Sequence, residues 1–170
     1  ECALPYAVHP IDIGAGDQFA PEFLAISPNN KMPAIVDSEG PDGKPIALFE
    51  SGAILVYLAA KTGSFMPSSD RGKYEVLQWL MWQMGGLGPM LGQHGHFKLY
   101  AKDRIPYAIA RYRAEAERLY GVLDRRLAGR EHLCGAYSIA DMACWPWVVT
   151  YKMQEIDLGA FPNVRRWYDA

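Results

Sequence analysis

Ser27-Pro28-Asn29-Asn30-Lys31-Met32-Pro33-Ala34-Ile35-Val36-Asp37 puts a proline at the start of an apolar strand, not inside it. Proline has no N–H to give to a sheet ladder, so in sheets it is confined to strand starts, edges and bulges. The Met32–Pro33 bond has two readings. A trans bond simply opens an edge strand over Met32 to Val36. A cis bond, accessible at modest cost before proline, bends the chain and leaves the Met32 N–H and C=O facing outward in an extended conformation. Those two groups could then pair with a peptide-like ligand as an added strand does.

Outward from this stretch, Ala7 to Ile13 reads as a short strand and Pro21 to Ile26 as a brief helix. Ile46 to Phe49 reads as a third strand, joined to Met32–Val36 through the hairpin signal Asp42-Gly43. Glu50-Ser51-Gly52 opens a helix with Ile54, Leu55 and Leu58 at helical spacing and a stop at Gly63. Residues 1–62 are therefore expected to form a mixed α/β domain. Residues 63–72, rich in turn formers, read as a linker. Residues 73–170 read as an all-α bundle, with helices over Tyr74 to about Leu91, Ile105 to Leu127, Ser138 to Tyr151 and Phe161 onward.

The chain of 170 residues carries 17 Lys+Arg against 19 Asp+Glu, a net charge of −2. It shows no basic cluster, so nucleic acid is not an expected partner. No apolar run reaches the roughly 20 residues that span a bilayer, and the N-terminus lacks a signal pattern, so no membrane partner is expected. Cys2, Cys134 and Cys144 are odd in number and too dispersed for a CxxC pair, which argues against a disulfide framework or zinc ribbon and for a reducing compartment. Cys144, in an apolar helical stretch, reads as a buried, inert thiol. The chain begins in the apparent tail of a helix and stops in mid-pattern at Trp167–Ala170, so it reads as part of a longer protein.

Four further features bear on chemistry. At Glu50-Ser51-Gly52 a strand end turns into a helix whose free N–H groups, positive dipole end and serine hydroxyl suit a carboxylate, while Glu50 suits an ammonium. Ser51 as a plain N-cap beside a solvated Glu50 remains the alternative. Ser138-Ile139-Ala140-Asp141 reads as a capping box with a folding role. Gln83 to Gln93 holds four glycines without phosphate-loop spacing, which suits a close neighbour or a kink at Pro89. His94 and His96 form an HxH pair with no supporting cluster, and no metal is expected.

SPNNKMPAIVD, ALFESGAILVYLA, LQWLMWQMGGLGPMLGQ, IPYAIARY and YSIADMACWPWV together resemble the bacterial Nu class of glutathione transferases over nearly the whole chain. The resemblance implies an α/β thioredoxin-like N-terminal domain (βαβαββα, its first strand absent here) followed by an all-α helical bundle. It implies that Met32, ahead of a cis Pro33, pairs with the cysteinyl part of glutathione. Glu50 and Ser51 would hold the γ-glutamyl end, Lys31 would approach the glycine carboxylate, Gln18 would add a polar contact, and Arg111 would reach glutathione, across a dimer interface in this class. The sulfur-facing residue belongs to a loop that precedes Glu1, so no catalytic residue is assigned.

The implied activity is glutathione-dependent reduction of small disulfides, with modest conjugation of electrophiles, by a cytoplasmic homodimer. A non-catalytic glutathione-binding or protein-interaction module of the same fold is the alternative. A third reading, a detoxifying transferase using Trp79, Trp82, Met84 and Met90 as an apolar site, is weaker, because those residues recur at helical spacing and are expected in the core.

Overall fold

Pro33 stands just outside the sheet. In the computed structural model, which describes residues 1–170, β1 (Ala34–Asp37) pairs antiparallel with β2 (Ile46–Phe49). The strand expected over Met32 to Val36 thus starts two residues later, because the ladder begins only beyond the residue that lacks an N–H. The register is Ala34 with Phe49 and Asp37 with Ile46. The connecting loop turns through Asp42 and Gly43, with φ values of 59° and 67°, the left-handed geometry that the Asp-Gly pair supplies.

The chain divides into two units, Glu1–Ser64 and Phe65–Ala170. In the first, α1 (Pro21–Leu24) has proline in its opening turn and buries Phe23. Helix α2 (Ser51–Thr62) packs on both strands, buries Gly52, Ile54 and Ala59, and ends at Gly63 in the left-handed conformation. The strand expected over Ala7 to Ile13 is not formed: the sheet has two strands, and residues 7–13 run without a ladder. An alternating pattern makes a strand only where a neighbour takes up its N–H and C=O groups, and none lies beside this segment.

Asp37 ties α2 to β1. Its carboxylate accepts hydrogen bonds from Lys61 Nζ and from Tyr57 Oη at 2.6 Å. Lys61, Tyr57 and the Glu39 N–H hold the Asp37 carboxyl at about 2, below its ordinary 3.8. A carboxyl lowered on folding stabilises the native state above its unfolded pKa and loses that contribution as pH falls through the folded value. Asp37→Asn is therefore expected to flatten the stability profile between about pH 4 and pH 2 and to leave its shape above pH 5 unchanged. Urea titrations across that range check this, and an unaltered acid slope would refute it.

The second unit is helical. Helix α3 (Asp70–Trp82) starts at Ser69, whose hydroxyl accepts from the Gly72 N–H at 3.2 Å. It runs through a π-helical turn, Gln83–Leu87, into α4 (Gly88–Gly95), which ends in a second such turn, His96–Tyr100. Then come α5 (Pro106–Leu127), α6 (Ile139–Val148) and α7 (Pro162–Asp169). The stripe facing the core is Val76 and Leu80 on α3, continued by Leu87 and Leu91.

Trp79, Trp82, Met84 and Met90 are half-buried and not in the core. They flank the Val76–Leu80 stripe; Trp79 meets the Trp82 ring edge-on at 5.1 Å and lies 5.0 Å beneath the Arg126 guanidinium. Gly88 has a packing reason. A Cβ there would fall 2.9 Å from the Trp147 ring and 2.5 Å from Gln83 Nε2, so only glycine lets the indole lie on α4. The two histidines of the HxH pair have separate settings. His94 is buried with Nε2 2.9 Å from the Gln154 carbonyl, while His96 is exposed and meets Phe97 edge-on.

Ser138 and Asp141 form the capping box at the start of α6, and the Ser138 N–H donates to Asp141 Oδ2 at 3.1 Å. The other carboxylate oxygen reaches farther, accepting from the Leu133 N–H at 2.9 Å and from Trp167 Nε1 of α7 at 3.0 Å. Asp141 is 1% exposed, so these partners replace water for the carboxylate. No helix is long and apolar enough to cross a membrane.

Candidate functional site

The hairpin register builds the site. Because Ala34 faces Phe49 across antiparallel strands, the residues just before Ala34 and those just after Phe49 leave the sheet at the same end. Pro33 and Glu50 therefore flank the same end of the sheet, with Met32 and Ser51 the next residues along the chain on either side. The Met32–Pro33 bond is cis. Lys31, Met32 and Pro33 are all solvent-exposed, with Met32 at 46%. An exposed backbone at the mouth of a sheet edge can exchange hydrogen bonds with a peptide-like ligand.

On the other side of this end, Glu50 has φ 68° and ψ 114°. That left-handed φ is sparsely populated for a residue with a Cβ and costs about 1–3 kcal/mol, a kind of strain that clusters at ligand clamps. The twist carries the chain from β2 straight into α2 with no intervening loop. The Glu50 carbonyl accepts the Ile54 N–H at 3.0 Å, so the helix ladder already starts at the twisted residue. The N–H groups of the first turn, from Ser51 on, precede that ladder and gather the positive end of the helix dipole.

An exposed carboxylate at Glu50 and a helix N-terminus with a hydroxyl at Ser51 are complementary to an ammonium and a carboxylate on one carbon. Beside them the Met32 backbone is complementary to an amide. An amino acid linked onward through its side-chain carboxyl keeps that ammonium and carboxylate both free on one carbon, whereas an α-linked one does not.

Gln18 lies in the short helical turn Asp17–Phe19 ahead of α1. Its Nε2 reaches the Ile13 carbonyl at 3.5 Å, and its Oε1 is shielded from solvent without a hydrogen-bond partner. A shielded, unpaired acceptor is uncommon, and a donor on a ligand would satisfy it. Arg111 is exposed on α5 and so belongs to the other unit. Glu115, one turn on, is forked to Arg118 at 2.7 Å through both oxygens.

Burial pushes the Cys134 thiol up, and it pushes the Cys144 thiol well above the ordinary value. Neither is a ready thiolate at neutral pH.

One residue of this site carried no sequence signal. Ser27 is fully buried and its Oγ donates to the Lys31 carbonyl at 2.7 Å, closing the loop that carries the site residues.

Comparison with known proteins follows the same division. Residues 1–61 match the glutathione S-transferase N-terminal domain, and residues 106–170 match the glutathione S-transferase C-terminal domain. The chain is 56% identical over 171 residues to disulfide-bond oxidoreductase YfcG of Escherichia coli, spanning 99% of this chain and 80% of that protein. It is 44% identical to disulfide-bond oxidoreductase YghU of the same organism over 92% of this chain, but spans 57% of that longer protein.

Two solved structures superpose closely. A glutathione transferase from Burkholderia graminis, with two glutathione molecules bound per subunit, gives a TM-score of 0.92 at 48% identity over 98% of this chain and 72% of that one. A glutathione transferase from Pseudomonas putida, with one glutathione disulfide bound per subunit, gives 0.95 at 43% identity over 99% and 76%.

Proposed function

The chain belongs to the glutathione S-transferase family, with a thioredoxin-like N-terminal domain and a helical C-terminal domain, and on that premise we propose that it uses glutathione to reduce small disulfides. The observation that carries this reading is the shared end of the hairpin, where the Met32–Pro33 turn meets Glu50 and Ser51. Glu50 holds the ammonium and Ser51 the carboxylate of the γ-glutamyl end, the Met32 backbone pairs with the cysteinyl amide, and Lys31 draws the glycine carboxylate. Gln18 adds a polar contact, and Arg111 reaches glutathione across the dimer interface.

The chemistry is thiol–disulfide exchange. Glutathione thiolate attacks one sulfur of the substrate disulfide, forms a mixed disulfide and releases one substrate thiolate, which takes up a proton. A second glutathione thiolate attacks the mixed disulfide at the glutathione sulfur, giving glutathione disulfide and the second substrate thiol. Two glutathiones thus supply the two electrons. This chain's residues seat and orient the tripeptide, and the raised thiols of Cys134 and Cys144 support a reaction in which the reactive sulfur is glutathione's own. The reading extends to a cytoplasmic homodimer that conjugates electrophiles only modestly and holds no metal.

The test is a glutathione-dependent assay of the whole protein with hydroxyethyl disulfide, run beside an aryl halide acceptor. Strong disulfide reduction with weak aryl transfer is the expected result. Measurable glutathione binding with neither activity would overturn it in favour of a binding module.

A further inference from the structure

We infer that Ser27 is the positioning residue of the glutathione site, acting through the Lys31–Met32 peptide; the inference rests on the reading of Met32, Glu50 and Ser51 as the tripeptide's seat. Ser27 follows α1 in the loop that leads to Pro33. Its own N–H donates to the Phe23 carbonyl at 2.8 Å, and its carbonyl accepts the Asn30 N–H at 2.9 Å. Both backbone groups are thus committed, one to the end of α1 and one to the turn ahead. The side chain, fully shielded from solvent, makes the third bond, from Oγ to the Lys31 carbonyl at 2.7 Å.

That third bond governs a group it does not touch. The Lys31 C=O and the Met32 N–H belong to one peptide unit, which is planar, and the cis bond of this loop is the next one, Met32–Pro33. In a planar trans unit the two groups point in opposite directions. A hydroxyl that draws the Lys31 oxygen inward onto a buried partner therefore turns the Met32 N–H outward, toward a bound peptide. Nothing else in the loop fixes this rotation as directly: Asn30 sits at φ 49°, and Lys31 and Met32 are exposed. Without the Ser27 bond, the Lys31–Met32 peptide can flip by paired changes in ψ of Lys31 and φ of Met32, and the flipped unit offers the ligand a carbonyl where it needs a donor.

The experiment measures glutathione affinity by calorimetry on whole-protein Ser27→Ala, Ser27→Thr and Ser51→Ala variants, at a temperature where each is folded. Ser27→Ala is expected to weaken binding roughly fivefold, the scale of one hydrogen bond. The loss should appear in KM for glutathione with kcat at saturation retained, and the Met32 amide resonance should shift. Ser27→Thr, which restores a hydroxyl, should recover most of the affinity.

A lowered melting temperature with unchanged affinity and an unmoved Met32 amide would overturn the inference and leave Ser27 a stabilising residue. If Ser27→Ala does not fold, Ser27→Thr and Ser27→Val, alike in shape and different in the hydroxyl, are compared by the same measures. Ser51→Ala separates the two levels. Loss of affinity there with none at Ser27 defeats the positioning role alone, and no loss at Ser51 defeats the reading of the seat.

Discussion

Asp141→Ala is expected to destabilise the helical unit by about 3–5 kcal/mol, the cost of stranding partners around a deleted buried carboxylate. The carboxylate joins three separated pieces of chain: the Ser138 N–H at the start of α6, the Leu133 N–H in the preceding loop and the Trp167 indole N–H of α7. Deleting it leaves these donors without acceptors in a place water does not reach, and each buried unpaired donor costs about 1–3 kcal/mol. The sum is limited because the loop and the indole can shift toward solvent. Thermal unfolding followed by circular dichroism should show a drop of roughly 10 °C in the midpoint. Asp141→Asn, which keeps an acceptor oxygen, should lose clearly less. Glutathione affinity of the folded Asp141→Ala protein should be unchanged, because Asp141 serves folding. A selective loss of affinity at full stability would reverse that assignment.

Ser51→Ala should leave stability nearly intact and weaken glutathione binding by about 1.5–3 kcal/mol, the range for a hydrogen bond to a charged group. In dissociation constants that is roughly ten- to 150-fold. The helix loses little, because Ser51 occupies its first turn and alanine is a good helix former there. The ligand loses the hydroxyl that meets its carboxylate and keeps the helix N-terminus, so binding is weakened and not abolished. Added salt should erode the affinity that remains, since that part rests on charge. Calorimetric titration with glutathione and with a des-γ-glutamyl analogue, cysteinylglycine, checks the placement. The analogue, which lacks the γ-glutamyl carboxylate, should bind the parent and the variant equally, and a difference between them would move Ser51 elsewhere on the tripeptide.

What the sequence revealed depended on how local each signal was. Ile46–Phe49 and the helix that follows could be read because alternation, a turn pair and a terminal glycine each lie in or directly beside the element they mark. The capping box was legible for the same reason, being contained in four residues. Its longer reach was not: Trp167 lies 26 residues from Asp141, and no spacing rule links an indole to a carboxylate at that range. Ala7 to Ile13 has the residues of a strand, but a strand is completed by its neighbour and none stands there.

Trp79 and Trp82 fit the helical period yet miss the core, because Val76 and Leu80 occupy the inward stripe and the larger rings are left to its flanks. For the site, residue types pointed to Met32, Glu50 and Ser51, and the register then showed why they adjoin. Ser27 was invisible because Ser-Pro reads as ordinary loop punctuation, and its importance lies in a bond that appears only once the loop has closed.

The β1–β2 hairpin has one end at the proposed site and one end away from it. Its strands of four residues each separate the Asp42-Gly43 turn from the Pro33–Glu50 end by on the order of 10 Å, at about 3.3 Å per residue. Length is therefore free to vary at the turn and fixed at the other end, where one added residue before Ala34 would slide Met32 out of step with Glu50. The turn is accordingly the natural graft point on this unit. A fluorophore, an affinity handle or a short epitope placed between Asp42 and Gly43 would leave the Pro33–Glu50 end, and with it the proposed glutathione site, intact.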